Sequence, residues 1–227
     1  MPSLIVCPMN KERDVLLQTW SDADFRPQRG VLGRLDVWRV PELNTVVSAG
    51  GIGKPQFALQ TQHLLDALGV CPVMICAGTG GALARNLSIG DVVIATETVE
   101  HDRKGRFFPK PPPRFAGSPA AIRRFQTAVP HGFRLHWGPV ASGDEDVVDA
   151  AQRRDLQRST GAVAVGWEGA GGARACAFSG VAFVEIRGIT DIVDPAVPPD
   201  IEPNLGPAMA NVARILAQWC RAAEIAG

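Results

Sequence analysis

The chain has no excess of charge of either sign: 23 lysines and arginines stand against 23 aspartates and glutamates in 227 residues. A balanced chain has no global field to recruit nucleic acid or an anionic membrane. It also lacks any apolar run near the roughly 20 residues that span a bilayer. Leu4-Ile5-Val6-Cys7 is too short for a signal-peptide core and is followed by charges, so a cytoplasmic protein is expected. There is no CxxC, and the five cysteines (Cys7, Cys71, Cys76, Cys176 and Cys220) sit mostly within apolar runs. Buried free thiols in a reducing compartment are the expected state. Four scattered histidines with no Cys/His cluster argue against a structural metal, and no residue pattern requires a cofactor.

What is present reads as one α/β domain spanning residues 1–227, long enough to bury a full core. Short apolar runs, at 4–7, 73–77, 162–165 and 181–186, suit strands buried on both faces. Residues 35–40, 45–48, 91–95 and 137–141 complete the predicted strands, which together imply a central mixed, twisted sheet flanked by helices. Helices are expected after Pro8, over 56–68, over 118–128, through Leu156, and over 205–223. The last carries Met209, Val212, Ile215, Leu216 and Trp219 at helical spacing. Residues 98–118, basic and proline-rich, read as a surface loop or lid without core structure, and 194–199 as another proline-rich loop.

Two glycine-rich stretches follow strands: Gly50-Gly51-Ile52-Gly53-Lys54-Pro55 and Gly78-Thr79-Gly80-Gly81. Glycines there let backbone N–H groups approach a ligand, although tight packing alone also accounts for them. The GxGxxG spacing of a dinucleotide site is missing. Pro55 stands where a phosphate loop needs its serine or threonine. Two carboxylates, Glu168 after Val165-Gly166-Trp167 and Asp191 after Arg187-Gly188-Ile189-Thr190, lie at predicted strand ends, where ligands of open sheets bind. Glu12 either complements the dipole of its helix or joins them.

In order and spacing these features resemble the purine-nucleoside phosphorylase/nucleosidase superfamily, and most closely the methylthioadenosine/S-adenosylhomocysteine nucleosidases. The carrying residues are Met9-x-x-Glu12, Gly51-Ile52-Gly53-Lys54, Gly78-Thr79-Gly80-Gly81, Gly90-Asp91-Val92-Val93, His101-Asp102, Ser142-Gly143-Asp144, Glu168, and Arg187-x-x-Thr190-Asp191. The resemblance implies a nucleoside phosphorylase-like fold and a small-molecule nucleoside substrate, with a homo-oligomer, dimer favoured. It assigns Asp191 to purine N7, Arg187 to orienting it, Glu168 to the ribose hydroxyls and Glu12 to the attacking water. Thr79, Gly78, Gly51, Ile52 and Val147 would line the substrate.

Two departures bear on specificity. Asp146 stands where the nucleosidases stack a phenylalanine on adenine. Trp167, preceded by Gly166, stands where they carry methionine preceded by an acid. Trp167 either reshapes the pocket around the 5′ substituent or packs as core. Cys76, where the hexameric phosphorylases place an arginine, favours water over phosphate as nucleophile. Arg103 or Arg106 could still hold phosphate. The implied activity is thus hydrolysis of an adenine nucleoside, methylthioadenosine or S-adenosylhomocysteine among them. The alternatives are a phosphate-dependent phosphorylase and an inactive nucleoside-binding module.

Overall fold

Both faces of the strand Ser3–Cys7 are buried, and that explains its unbroken apolar sequence. Ile5 and Cys7 join the core on one side of the sheet, Leu4 and Val6 the core on the other. The structure is a computed structural model and describes residues 1–103, 107, 110–192 and 201–222, without the side chain of residue 201. Arg106, the loop at 194–199 and the expected helix end at Ala223 lie outside the described residues.

In chain order the first half contains β1 (Ser3–Cys7), α1 (Asn10–Ser21), β2 (Gln28–Leu32), β3 (Leu35–Val40), β4 (Thr45–Ala49), α2 (Lys54–Leu68), β5 (Val73–Ala82) and β6 (Val92–Glu100). The second half contains β7 (Arg114–Ala116), α3 (Pro119–Phe125), β8 (Leu135–Ser142), α4 (Ala150–Thr160), β9 (Ala164–Gly166), α5 (Gly169–Ser179), β10 (Ala182–Ile192) and α6 (Ile201–Arg221). The sheet is mixed, as expected, with the order β10-β6-β8-β9-β5-β1-β4-β3-β2. It is not open, however. β10 also pairs in parallel with β5 along almost its whole length, so β5, β10, β6, β8 and β9 close into a ring.

That closure comes from strand length. The stretch Gly78-Thr79-Gly80-Gly81, expected as a turn, continues β5 to Ala82, and β10 runs on through Asp191 to Ile192. With β10 along one edge of β5, the other edge is shared: β1 pairs with Met74 to Cys76, and β9 with Gly81 and Ala82. Between them β1 and β9 diverge, and, among the described residues, 77–80 have no strand partner on that side. The loop reading of 98–118 also fails at both ends. β6 extends to Glu100 with Thr98 and Val99 fully buried, and β7 pairs with it at Glu97 to Val99. β2 was not anticipated. Its Gln-Arg-Gly-Val-Leu sequence, largely exposed, lacks the apolar pattern that marks a core strand.

Helices cover both faces. α1, α3 and α6 pack on one, where Leu16, Trp20, Phe125, Met209, Val212, Ile215, Leu216 and Trp219 meet Ile5, Ile75 and Ile186. Each such side chain contributes about 1.5–3 kcal/mol on burial. α6 begins at Ile201, ahead of the expected start, and accommodates Pro207 within it. α2 and α5 cover the other face, with Phe57, Leu64, Ala173 and Cys176 against Val6, Met74 and Phe183. α4 starts only at Ala150, capped by Asp149, whose carboxylate accepts from the backbone N–H of Ala151 and Gln152. The acids of 144–146 lie ahead of that cap, and Asp144 instead accepts from the backbone N–H of Lys54.

The glycines of α5 set how closely it approaches α2. A Cβ on Gly171 would lie 2.4 Å from the backbone oxygen of Lys54, and one on Gly172 would lie 2.8 Å from Met74 and 2.9 Å from Phe57. Gly171→Ala is therefore expected to destabilise the fold by about 1–3 kcal/mol from overpacking, outweighing a helix-propensity gain of about 1 kcal/mol. Thermal unfolding would register this as a Tm lowered by about 2–4 °C per kcal/mol in a chain of this size.

Candidate active site

The divergence of β1 and β9 opens a crevice of about 440 Å³ above the unpaired part of β5. Its lining includes Met9, Glu12, Ile52, Thr79, Asp146, Val147, Trp167, Glu168, Arg187 and Asp191. Residues far apart in sequence, at the ends of β1, β5, β9 and β10, thus meet in one cavity of the size small-molecule sites require.

Glu12 lies in the first turn of α1 and is buried, so its carboxylate does more than complement the helix dipole. Oε2 accepts from the backbone N–H of Met9 at 2.9 Å. Oε1 accepts from the backbone N–H of Thr79 at 2.7 Å and from its hydroxyl at 2.8 Å. The Thr79 N–H is available because, among the described residues, no strand pairs with that edge of β5 there. Burial raises the Glu12 pKa above the ordinary carboxylate value, against those hydrogen bonds and the charge of Arg187.

Glu168 ends the turn after β9 and leads into α5, where its backbone oxygen accepts from the N–H of Gly171 and of Gly172. Its side chain is buried. Oε2 receives both terminal nitrogens of Arg187 at 3.3 Å, and Oε1 receives the backbone N–H of Gly53 at 3.3 Å. The Ser142 hydroxyl clasps this turn, donating to the backbone oxygen of Trp167 at 2.7 Å and accepting from the N–H of Ala170 at 2.9 Å.

Asp191 stands apart from these groups. Its Oδ1 accepts from the Thr190 hydroxyl at 3.0 Å. Burial raises its pKa, and the negative charge of Asp146 pushes in the same direction. Asp146 itself is exposed, at the crevice rim with Glu145, Val147 and Val148.

Arg187 does not orient Asp191, as the resemblance had implied. Its guanidinium is spent elsewhere: Nε donates to Glu185 at 2.7 Å, and Nη1 donates to the backbone oxygen of Thr79 at 3.0 Å and to Glu168. Burial works to discharge it, but the Cys76 sulfur and the carboxylates of Glu185, Glu168 and Glu12 hold its pKa well above the ordinary arginine value. The stretch from Arg187 to Asp191 includes a register shift in β10 at Ile189 to Asp191, which separates the two side chains.

Two expected ligand contacts belong elsewhere. Gly78 lies beneath the crevice, where a Cβ would come 2.8 Å from Arg187 Nη1 and 3.1 Å from Glu12 Oε1, so its missing side chain is what lets those two charges converge. Gly51, at φ +83°, lines a separate polar cavity of about 410 Å³ with Asn10, Arg13, Arg34, Gln56 and Gln60. Ile52 does reach the crevice, and Trp167 lines it rather than packing away as core. Arg103 is not among the lining residues.

The sequence reading missed Glu185. It sits within an apolar run, yet Phe183-Val184-Glu185-Ile186-Arg187 puts Glu185 and Arg187 two residues apart on one strand face, a signal legible from alternation alone. Gly166 was noted only as a departure. A Cβ there would lie 2.8 Å from Arg187 Cζ, so it makes room for the guanidinium.

Comparison with known proteins identifies the family. The family model for the phosphorylase superfamily matches residues 2–220. The chain is 31% identical to the 5′-methylthioadenosine/S-adenosylhomocysteine nucleosidase of Thermotoga maritima, over 82% of this chain and 79% of that protein. It is 28% identical to the nucleosidase of the same name from Mycobacterium tuberculosis, over 93% and 94% of the two chains. The crystal structure of the Neisseria meningitidis 5′-methylthioadenosine/S-adenosylhomocysteine nucleosidase in complex with methylthio-immucillin-A superposes with a TM-score of 0.84 at 25% identity. That match covers 96% of this chain and 97% of that one.

The raised pKa of Asp191 has a consequence for stability. Because its folded-state pKa exceeds the unfolded value, the folded protein binds the proton more tightly. Stability is then full below the unfolded pKa and is lost as pH rises through the folded one. Asp191→Asn keeps an oxygen for Thr190 and removes the charge. It is expected to raise Tm relative to wild type at pH 7, with the gain disappearing as pH falls below about 4, the ordinary aspartate value. Melting curves of both proteins across that range test it.

Proposed function

Because the chain belongs to the phosphorylase superfamily, and because its crevice floor is anionic, we propose that it hydrolyses the N-glycosidic bond of an adenine nucleoside and releases adenine. The observation that carries water as nucleophile is charge. Among the described residues Arg187 is the cation lining the crevice, and Glu185 and Glu168 already neutralise it, with Glu12 close by. Phosphate, bearing about two negative charges, would meet carboxylates with no guanidinium to spare.

The residues divide the work as follows. Asp191, its pKa raised by burial, holds a proton or hydrogen bond at purine N7, and an adenine that gains that proton becomes a competent leaving group. Glu168 accepts from the ribose hydroxyls, and its negative charge favours the sugar as it becomes oxocarbenium-like. Glu12, held by three donors, orients the water and takes its proton; burial makes it a stronger base than an ordinary glutamate. Met9, Ile52, Trp167 and Ile192 supply the apolar lining that suits a modified 5′ position, as in methylthioadenosine or S-adenosylhomocysteine.

The working unit in this proposal is a homodimer in the cytoplasm. Ile52 at the crevice and Leu59 on α2, 55% and 73% exposed, provide apolar surface for a second copy to cover. Sedimentation of the purified chain measures this directly, and a monomer would refute it.

Incubation with methylthioadenosine, S-adenosylhomocysteine and adenosine is expected to yield adenine at the same rate with and without phosphate. Strict dependence on phosphate, with a sugar 1-phosphate as product, would instead identify a phosphorylase. Binding without any base release would leave a nucleoside-binding module. Asp191→Asn is expected to lose about 10²–10⁴-fold in kcat, the usual contribution of a positioned acid, with nucleoside affinity largely kept. Near-normal turnover would remove the N7 assignment.

A further inference from the structure

We propose that Glu185 is a positioning residue for this reaction, sharing the charge of Arg187 so that the Glu168 carboxylate is left available to the sugar. Glu185 is absent from the crevice lining and completely buried within β10, where every sequence neighbour but Arg187 serves the apolar core. Its Oε1 accepts from Arg187 Nε at 2.7 Å, and its Oε2 accepts from the Thr98 hydroxyl at 2.5 Å. Space is kept for it: a Cβ on Gly169 would fall 2.1 Å from Oε2. Burying an ion pair costs several kcal/mol per ion before pairing, and well-packed apolar residues often do as well or better for stability. Stability alone is therefore a weak reason for a carboxylate in this strand.

The geometry of the guanidinium supplies a better one. Arginine offers five N–H groups in a rigid planar fork. Here Nε is taken by Glu185, while Nη1 and Nη2 reach Glu168 at 3.3 Å, and Nη1 also holds the Thr79 backbone oxygen. The closer contact is thus with the carboxylate outside the crevice, and the longer one with the carboxylate inside it. Glu185 fixes the plane of the fork and takes the larger part of its charge. Without it, Arg187 would close onto Glu168 and occupy the oxygens that must accept the ribose hydroxyls and face a cationic sugar.

This inference rests on the assignment of Glu168 to the ribose, and its test separates the two. Wild type, Glu185→Gln, Glu168→Gln and the double variant are titrated calorimetrically with adenosine and with 2′,3′-dideoxyadenosine, and assayed for adenine release from adenosine. Glu185→Gln is expected to weaken adenosine binding and turnover about tenfold, within the coupling range of residues in one network. It should leave dideoxyadenosine binding unchanged and add nothing in the Glu168→Gln background. Equal loss with both ligands, or losses that multiply in the double variant, would mean a merely structural role and overturn the inference. So would a wild type with no preference for the hydroxylated ligand. Should Glu185→Gln fail to fold, Thr98→Val removes the second anchor of Glu185 at nearly constant shape. The same selective loss is expected from it, and equal loss with both ligands again overturns the inference. Wild type that prefers adenosine yet releases no adenine would end the hydrolase reading alone and leave Glu185 to the binding comparison.

Discussion

A strand has two edges, and on β5 one of them must serve two partners. β10 occupies the first edge throughout, so β1 and β9 divide the second and part company over residues 77–80. Backbone groups that a continuous sheet would have consumed are left facing the gap. The Thr79 N–H finds Glu12 and its carbonyl finds Arg187. A buried backbone group without a partner is costly, so the side chains that fill the gap are polar by necessity. The active-site floor is the solution to a hydrogen-bonding problem set by topology.

The same economy accounts for the concentration of charge. One guanidinium buried with three carboxylates would be unfavourable in an apolar interior if any contact were lost. Gly78, Gly166 and Gly169 each omit a side chain where Arg187 or its partners need the space. Burial that raises Glu12 and Asp191 also makes their ionised forms expensive to the fold. Useful acidity here is obtained at the expense of stability, a common bargain at catalytic sites.

Much of this was legible from residues alone because the central strands are buried on both faces. Runs such as Leu4 to Cys7 and Val73 to Ala77 announce themselves by composition. The order of glycines and acids along the chain sufficed to bring Glu12, Thr79, Glu168 and Asp191 into one family pattern. What escaped has specific causes. β2 is an exposed edge strand with no apolar alternation, and β7 is three residues long in a basic, proline-rich segment. Gly78 to Gly81 look like a turn, yet they are strand because β10 pairs beside them. The resemblance implied that Arg187 orients Asp191, whereas the register shift in β10 turns them apart. Glu185 was hidden by its own apolar neighbours.

Lys54 ties the loop that follows β4 to those that follow β6 and β8. Its ammonium pairs with Asp102 and Glu100 at the end of β6, and its backbone N–H is held by Asp144. Asp102 in turn accepts from the N–H of Asp144, two residues before Asp146 at the crevice rim. The residue preceding Lys54, Gly53, donates to Glu168. Three loops from three different strands are therefore mechanically one piece. A ligand group that displaces the wall near Asp146 would be felt at Glu168, so the rim of the crevice and its buried carboxylate are joined through Lys54 and the loops it holds.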